Sequence, residues 1–273
     1  YLEKMTQRAS KILALDGDMS DRAYDFLSSI SDSRKFYVNE YKSVKKNFIF
    51  SHNGVNFDKS IDADLKSGKK IAIVCMSKTS SEKYYALYKD KYNLCIHNSI
   101  EKNKDALLNV KDEWSKCDLL IYSPSVESGV DFDVKNYFYK CYCALSVKST
   151  SYRALCQMLN RVRHYENNDI LCLIPEQMNW STDDITYNYD EIRLTKYAGL
   201  EINNLVSVLI HNDTEKINSD NYFISSLLQL IKSKGHTYSY LDDAPKPKEE
   251  KIPLACGSEV VKQQIVGAKD ITY

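Results

Sequence analysis

The stretch that decides the fold spans residues 118–133 and reads DLLIYSPSVESGVDFD. It begins with a short apolar run, which is typical of a strand buried on both faces of a parallel sheet. Two small hydroxyl residues, Ser123 and Ser125, follow the strand directly, and a glycine, Gly129, precedes Asp131. Ligands of such sheets bind beyond the carboxyl ends of the strands. The stretch therefore indicates both a sheet and a site beside it.

Outward from this strand, apolar runs alternate with helical patterns along the chain. Strands are predicted at residues 11–15, 70–76, 93–97, 118–122, 138–147 and 169–174. Helices are predicted at residues 21–30, 61–66, 80–88, 102–111 and 152–162. This alternation predicts an α/β fold with a parallel sheet flanked by helices on both faces. After residue 175 the pattern becomes helical, at 190–209 and 221–232, so we expect an appended C-terminal helical region.

Composition narrows the possible functions. The chain has 273 residues and 43% apolar content, enough for one or two domains with a large core. Lysine plus arginine equal aspartate plus glutamate at 37 each, so any contact with nucleic acid must come from local clusters. The eight cysteines never form a C-x-x-C pair, which favours reduced thiols in an intracellular compartment. No apolar run approaches the ~18 residues that a membrane span needs.

A second polar cluster follows the first at residues 157–163 and reads QMLNRVR. On a helix, Gln157 and Arg161 would share a face because they are four residues apart. Arginines presented by a neighbouring domain stabilise the charge on a phosphoryl group during its transfer, and Arg161 and Arg163 suit that role. The alternative is structural, since arginines in the last turn of a helix also satisfy its carbonyl groups and its dipole.

Together the two clusters resemble the second RecA-like domain of a superfamily two helicase, with the viral origin-binding helicases of herpesviruses and large DNA viruses as the closest likeness. The Gly-hydrophobic-Asp element of motif five is matched by residues 129–131. Motif six is matched by Gln157, Arg161 and Arg163, with the shortened arginine spacing that the origin-binding group shares. Asn160 stands where that family usually has glycine. The resemblance covers residues 11–175 and implies a RecA-like sheet.

The resemblance also implies roles for these positions. Arg161 and Arg163 would be the catalytic arginine fingers, while Gly129, Asp131 and Gln157 would bind the nucleotide. Asp131 would accept a hydrogen bond from a ribose hydroxyl, and Gly129 would let the backbone approach the nucleotide closely. The alternative for Asp131 is an ordinary turn aspartate.

Other polar residues at strand ends are candidates for contacts with the nucleic-acid strand. These are Ser77, Lys78, Thr79, Ser123 and Ser125. Hydroxyl and amide groups at the start of a helix bind phosphate well, but Thr79 could equally be a helix N-cap, and the two later serines could simply cap a strand end. An aromatic residue such as Tyr122 or Tyr152 could stack a base. The histidines show no ligand spacing, so no metal site is predicted.

The chain contains no G-x-x-x-x-G-K-[ST] run and no acidic Walker B segment. We therefore expect it to be a fragment that is inactive alone, with ATP and Mg²⁺ bound mainly by an upstream RecA-like domain of the same protein. The predicted organisation is the tail of that first motor domain at residues 1–32, a connecting segment at 33–68, the RecA-like helicase C-terminal domain at 69–176, a helical accessory region at 177–241, and a linker or next domain at 242–273.

These expectations give a leading hypothesis and an alternative. The leading hypothesis is the C-terminal motor half of an ATP-dependent DNA helicase in viral replication, with single-stranded DNA as its partner and no membrane. It would act in the nucleus or at a cytoplasmic replication site. The alternative is a non-catalytic nucleic-acid-binding or scaffolding module of the same fold. A flavodoxin-like enzyme is disfavoured, because no early strand end carries a glycine-rich phosphate loop.

Overall fold

A computed structural model describes residues 8–13, 21–30, 35, 44–98, 109–126, 130–178 and 187–241. Its centre is a seven-stranded sheet in which every pairing is parallel. The strands are β1 (Asn47–Ser51), β2 (Ile71–Cys75), β3 (Leu94–His97), β4 (Leu119–Tyr122), β5 (Lys140–Ala144), β6 (Asp169–Leu173) and β7 (Thr237–Tyr240). They lie in the order β3-β4-β2-β5-β6-β1-β7.

Eight α-helices accompany these strands in the described part of the chain. They are α1 (Asp21–Ile30), α2 (Gly54–Lys66), α3 (Lys78–Tyr88), α4 (Val110–Trp114), α5 (Tyr152–Leu159), α6 (Tyr189–Lys196), α7 (Asn204–Asn221) and α8 (Phe223–Ser233). No helix in the described ranges is long and apolar enough to cross a membrane.

The two faces of the sheet have separate hydrophobic cores because side chains alternate along each strand. On one face, Ile71 and Ile73 of β2 pack with apolar residues of α2 and α3. On the other face, Ala72 and Val74 pack with residues of α4, α5 and α8. The predicted fold class, a RecA-like parallel sheet flanked by helices on both faces with helices appended after it, is confirmed.

The chain divides into two compact units. One comprises the described residues between 43 and 185 and between 219 and 250, and it holds the sheet; the other comprises the described residues between 1 and 42 and between 186 and 218. Within the second unit, Asp213 accepts hydrogen bonds from Lys196 at 2.6 Å and from Tyr197 at 2.9 Å, and these bonds tie α6 to α7. Asn188 begins α6 with a capping box completed by Glu191.

Two strands of the sheet were not predicted from the sequence. β1 lies in the segment that we expected to connect two domains, and β7 lies in the expected helical accessory region. β1 is short and follows a polar, lysine-rich stretch, while the TYSY sequence of β7 is only half-buried at the sheet edge. Neither therefore shows the long apolar run that marks the central strands.

Several predicted elements differ from the structure: the helix expected at 61–66 already begins at Gly54, the helix expected at 152–162 ends at Leu159, and residues 102–108 of the helix expected at 102–111 lie outside the described residues. Residues 11–13 of the expected first strand form no regular secondary structure, and 14–15 lie outside the described residues. The helix expected over 190–209 is interrupted, because α6 ends at Lys196 and Gly199 has a φ of 80°. A positive φ suits glycine and ends helices.

Candidate functional site

The two clusters singled out in the sequence meet in the folded chain. Phe132 and Val162 form an isolated parallel bridge, in which the Phe132 N–H donates to the Arg161 carbonyl at 2.8 Å and the Arg163 N–H donates to the Phe132 carbonyl at 3.0 Å. Phe138 and Tyr165 form a second bridge just before β5 and β6 begin. We call residues 161–163 the arginine segment. It lies on the amino-terminal side of β5 and β6.

The Phe132–Val162 bridge brings three charged side chains close together, those of Asp131, Arg161 and Arg163. Arg163 Nε donates to Asp131 Oδ1 at 2.6 Å, and about half of each side chain is exposed. Arg161 is less exposed, and its Nη1 donates to the Val130 carbonyl at 3.0 Å. The pairing of Asp131 with Arg163 makes it more than an isolated turn residue. Because the pair is exposed, it contributes little to stability and can exchange partners with a ligand.

The helical interpretation of the second cluster was wrong. α5 ends at Leu159 with Asn160 as its C-cap, so both arginines follow the helix and do not share its face with Gln157. Gln157 is exposed on α5. Gly129 lies outside the described residues, so its predicted contact with the nucleotide stays a prediction.

A buried lysine that was not predicted from the sequence holds the end of α5. Lys46 Nζ donates to the Leu159 carbonyl at 3.1 Å and to Asn160 Oδ1 at 2.7 Å, and only 4% of the residue is exposed. Burial lowers the pKa of Lys46 from 10.5 to about 8, although negative charge on Cys141 or Cys156 would act in the opposite direction. Lys46, and not an arginine side chain, bonds to the last carbonyl group of this helix, that of Leu159.

A second set of candidate residues lies at the carboxyl ends of β2 and β4. Ser77 follows β2 and is the N-cap of α3: its Oγ accepts from the Ser80 N–H at 3.1 Å. Thr79, which the sequence offered as a possible N-cap, is instead an exposed residue inside the first turn. Lys78 is also exposed and lies 4.0 Å from Glu82.

The two serines after β4 both bond to the last carbonyl of β3. Ser123 Oγ donates to the His97 carbonyl at 3.5 Å and Ser125 Oγ donates to it at 3.2 Å. Ser123 is buried and Ser125 is exposed. The strand-end capping alternative therefore describes both hydroxyl groups, and Ser125 is the one at the surface. We call Ser77, Lys78, Thr79, Ser123 and Ser125 the hydroxyl edge.

The aromatic and histidine candidates are mostly parts of the core. Tyr122 is fully buried and donates to the Met158 carbonyl at 2.9 Å, so it cannot stack a base. His97 accepts a hydrogen bond from Trp114 Nε1 at 2.9 Å, and burial lowers its pKa. His97 is therefore a histidine of the core. Tyr152 is partly buried against the core.

The candidate residues thus form two groups at opposite ends of the strands. The arginine segment and Asp131 lie towards the amino ends of the strands, and the hydroxyl edge lies at their carboxyl ends. Within the described ranges, no cluster of three or more histidine, cysteine, aspartate or glutamate residues could hold a metal ion. The seven described cysteines are free thiols.

Comparisons with known proteins give relatives from large DNA viruses, and no family model matches the chain. A provisionally named replication origin-binding protein of Acanthamoeba polyphaga mimivirus is 30% identical over 272 residues, which cover 88% of this chain and 34% of that protein. The uncharacterized, provisionally named helicase R8 of the same virus is 26% identical, covering 89% of this chain and 28% of that protein.

A third relative comes from another virus. A provisionally named helicase/primase complex protein of African swine fever virus (isolate Warthog/Namibia/Wart80/1980) is 24% identical, covering 66% of this chain and 18% of that protein. The chain thus spans about a third or less of the length of these relatives. It is similar to a segment of viral proteins whose names refer to DNA replication and to helicases.

Proposed function

We propose that this chain is the C-terminal motor half of an ATP-dependent DNA helicase or translocase in viral DNA replication, of the origin-binding helicase type. The observation that carries the proposal is the Phe132–Val162 bridge. It brings an acidic residue and two arginines from separate parts of the sequence to one place, as the nucleotide cleft of a motor requires. The names of the viral relatives support the same assignment.

In this proposal an upstream RecA-like domain holds most of the ATP and its Mg²⁺, since no described cluster of this chain could hold the metal. Arg163 contacts the transferring phosphoryl group by exchanging its exposed partner, Asp131, for phosphate oxygens. Asp131 is then available to a ribose hydroxyl. Arg161, whose Nη1 is held by the Val130 carbonyl, contacts the same phosphoryl group.

The hydroxyl edge contacts one strand of DNA in this proposal. Ser77 is occupied as a cap, so the exposed side chains of Lys78, Thr79 and Ser125 make the contacts to phosphate. In this proposal the nucleotide and the DNA bind at opposite ends of the strands. When the nucleotide cleft opens and closes, the DNA-binding surface therefore moves. That coupling is what a translocase needs.

The test is the replacement of Arg161 or Arg163 by alanine in the full-length gene product. DNA-stimulated ATP hydrolysis should fall by roughly a thousandfold or more, because arginine fingers contribute that much to turnover. ATP binding should change little. Arg193→Ala, which removes an exposed arginine from α6 in the other unit, is the matched control and should hydrolyse ATP normally. Normal turnover in both Arg161 and Arg163 variants would contradict the proposal.

A second candidate function is a non-catalytic nucleic-acid-binding or scaffolding module. The observation that favours it is that both arginines already make hydrogen bonds within the chain, to Val130 and Asp131. This candidate predicts a gene product with no Walker A motif upstream and no ATP hydrolysis. Sequencing the complete gene and measuring hydrolysis distinguish the two.

A further inference from the structure

We propose that Lys46 is a positioning residue for the arginine segment: with Asn160, its ammonium group fixes the end of α5 and thereby the place of Arg161 and Arg163. The inference rests on the proposed function, because it assigns Lys46 a part in the same site. Lys46 would not contact ATP or DNA.

The position of Lys46 is itself fixed by the sheet. Lys46 directly precedes β1, which lies between β6 and β7. Its carbonyl accepts from the Thr237 N–H at 3.0 Å, so its backbone continues the pairing of β1 with β7. Its side chain is almost completely buried. The ammonium group therefore projects from a residue whose backbone is fixed by the sheet. A buried lysine needs hydrogen-bond partners that offset the free-energy cost of removing its charge from water.

The end of α5 supplies those partners. The last carbonyl groups of a helix have no partners within it and carry the negative end of its dipole. α5 has no basic residue in its own last turn. Lys46 provides the missing cation from 113 residues away, at 3.1 Å from the Leu159 carbonyl. It adds a charged partner for the Leu159 carbonyl to the local cap that Asn160 provides.

Asn160 connects this cap to the arginines. Its Oδ1 accepts from Lys46 at 2.7 Å, and its Nδ2 donates to the Cys156 carbonyl at 2.9 Å. The next residue is Arg161, whose carbonyl is already fixed by Phe132. The arginine segment is thus fixed in two ways: Lys46 bonds to Asn160, which directly precedes it, and Phe132 bonds to the backbone of Arg161 and Arg163. A glycine at position 160, as in the helicase motif, would give Lys46 no side-chain acceptor.

Several other groups face Lys46 in the described part of the chain. His236 Nδ1 accepts from the Lys46 backbone N–H at 3.4 Å, and the Tyr165 ring centre lies 6.0 Å from Nζ. Charge on Cys141 or Cys156 would favour the ammonium group, while Arg163 opposes it. Burial lowers the pKa of His236, and the charges of Lys46 and Lys234 act in the same direction. Because burial lowers the pKa of Lys46 to about 8, the charge of Lys46 is lost just above neutral pH.

The experiment uses the full-length gene product with Lys46→Met, which keeps the aliphatic stem and removes the charge. We expect kcat for DNA-stimulated ATP hydrolysis to fall about tenfold or more, since small misplacement of a catalytic group costs up to about a hundredfold. KM for ATP should stay within about twofold. Lys70→Met is the control: it removes a lysine that bonds to Tyr137 and should leave kcat unchanged.

Two further measurements separate positioning from a general loss of stability. Asn160→Gly should lower kcat by itself, and in the Lys46→Met background it should cost much less, because the two residues act as a pair. The wild-type kcat should fall as pH rises through about 8, and the Lys46→Met variant should lack that decline. Both variants must unfold cooperatively for the comparison, and Asn160→Gly supplies the test if Lys46→Met does not fold.

The inference would be overturned if the Lys46→Met and Asn160→Gly variants both had the same kcat as the wild-type protein. It would also be overturned if the loss of kcat in the double variant were the full product of the two single losses. If Arg161→Ala still abolished hydrolysis, only the role of Lys46 would be lost. If Arg161→Ala and Arg163→Ala left hydrolysis unchanged, the proposed function itself would fail. The two failures are therefore distinguishable.

Discussion

At the scale of single residues, the buried ammonium group of Lys46 gives stability a pH dependence of defined sign. Its pKa is about 8 in the folded chain and 10.5 in the ordinary, solvated state. Between these values the unfolded chain binds more protons than the folded chain, so the free energy of unfolding rises with pH. Below pH 8 both states carry the proton and the cost of burying the charge is constant. The full rise is on the order of 3 kcal/mol.

Denaturant unfolding of the 273-residue chain and of its Lys46→Met variant between pH 7 and 10 measures this effect. The difference in unfolding free energy, wild type minus variant, should increase through this range. Lys70→Met removes the lysine that precedes β2 and should retain the wild-type rise. A difference that stays constant from pH 7 to 10 would show that Lys46 is not buried as a cation.

Residue types at the site could be predicted from the sequence, but their partners could not. Arg161, Arg163 and Asp131 stand in recognisable local clusters. The Asp131–Arg163 pair, however, depends on the Phe132–Val162 bridge, which joins segments with no local signal for pairing. Lys46 gave no signal at all, because it resembles any surface lysine before a strand.

At the scale of elements, the start of α3 shows which hydroxyl caps the helix. Ser77 accepts from the Ser80 N–H, while Thr79 lies exposed within the first turn. Ser77→Ala should therefore lower the free energy of unfolding by about 1 kcal/mol, the usual cost of losing an N-cap. Thr79→Ala, the matched control, should change it by less than about 0.5 kcal/mol. Urea unfolding of both variants measures these changes. A larger loss of unfolding free energy in Thr79→Ala than in Ser77→Ala would show that Thr79, and not Ser77, caps the helix.

Strands that are buried on both faces could be predicted from the sequence, whereas a strand that is only partly buried could not. The central strands β2, β4 and β6 consist almost entirely of apolar residues because helices cover both faces, and they were predicted to within about two residues of their observed ends. β7 was missed because an edge strand alternates half-buried and exposed residues over only four positions. The break between α6 and α7 carried a usable signal in Gly199, whose positive φ ends the helical path.

At the scale of the whole molecule, the sheet pairs two strands that are far apart in the sequence, β1 and β7. β1 contributes Phe48 and Phe50 to the core, and these rings lie against the rings of His236 and Tyr240 at 6.0 and 5.8 Å. β7 therefore does more than extend the sheet. It covers the outer edge of β1, whose N–H and C=O groups would otherwise be open to pairing with another chain.

This arrangement predicts a sharp difference between two truncations. A chain ending at Leu241 keeps every described residue and is the reference for the comparison. A chain ending at Gly235 loses β7 and exposes β1, so it should be less stable by about 3 kcal/mol or more and should self-associate. Size-exclusion chromatography and urea unfolding of the two truncated chains measure both effects. A monomeric chain ending at Gly235 with unchanged stability would show that β7 does not complete the sheet in solution.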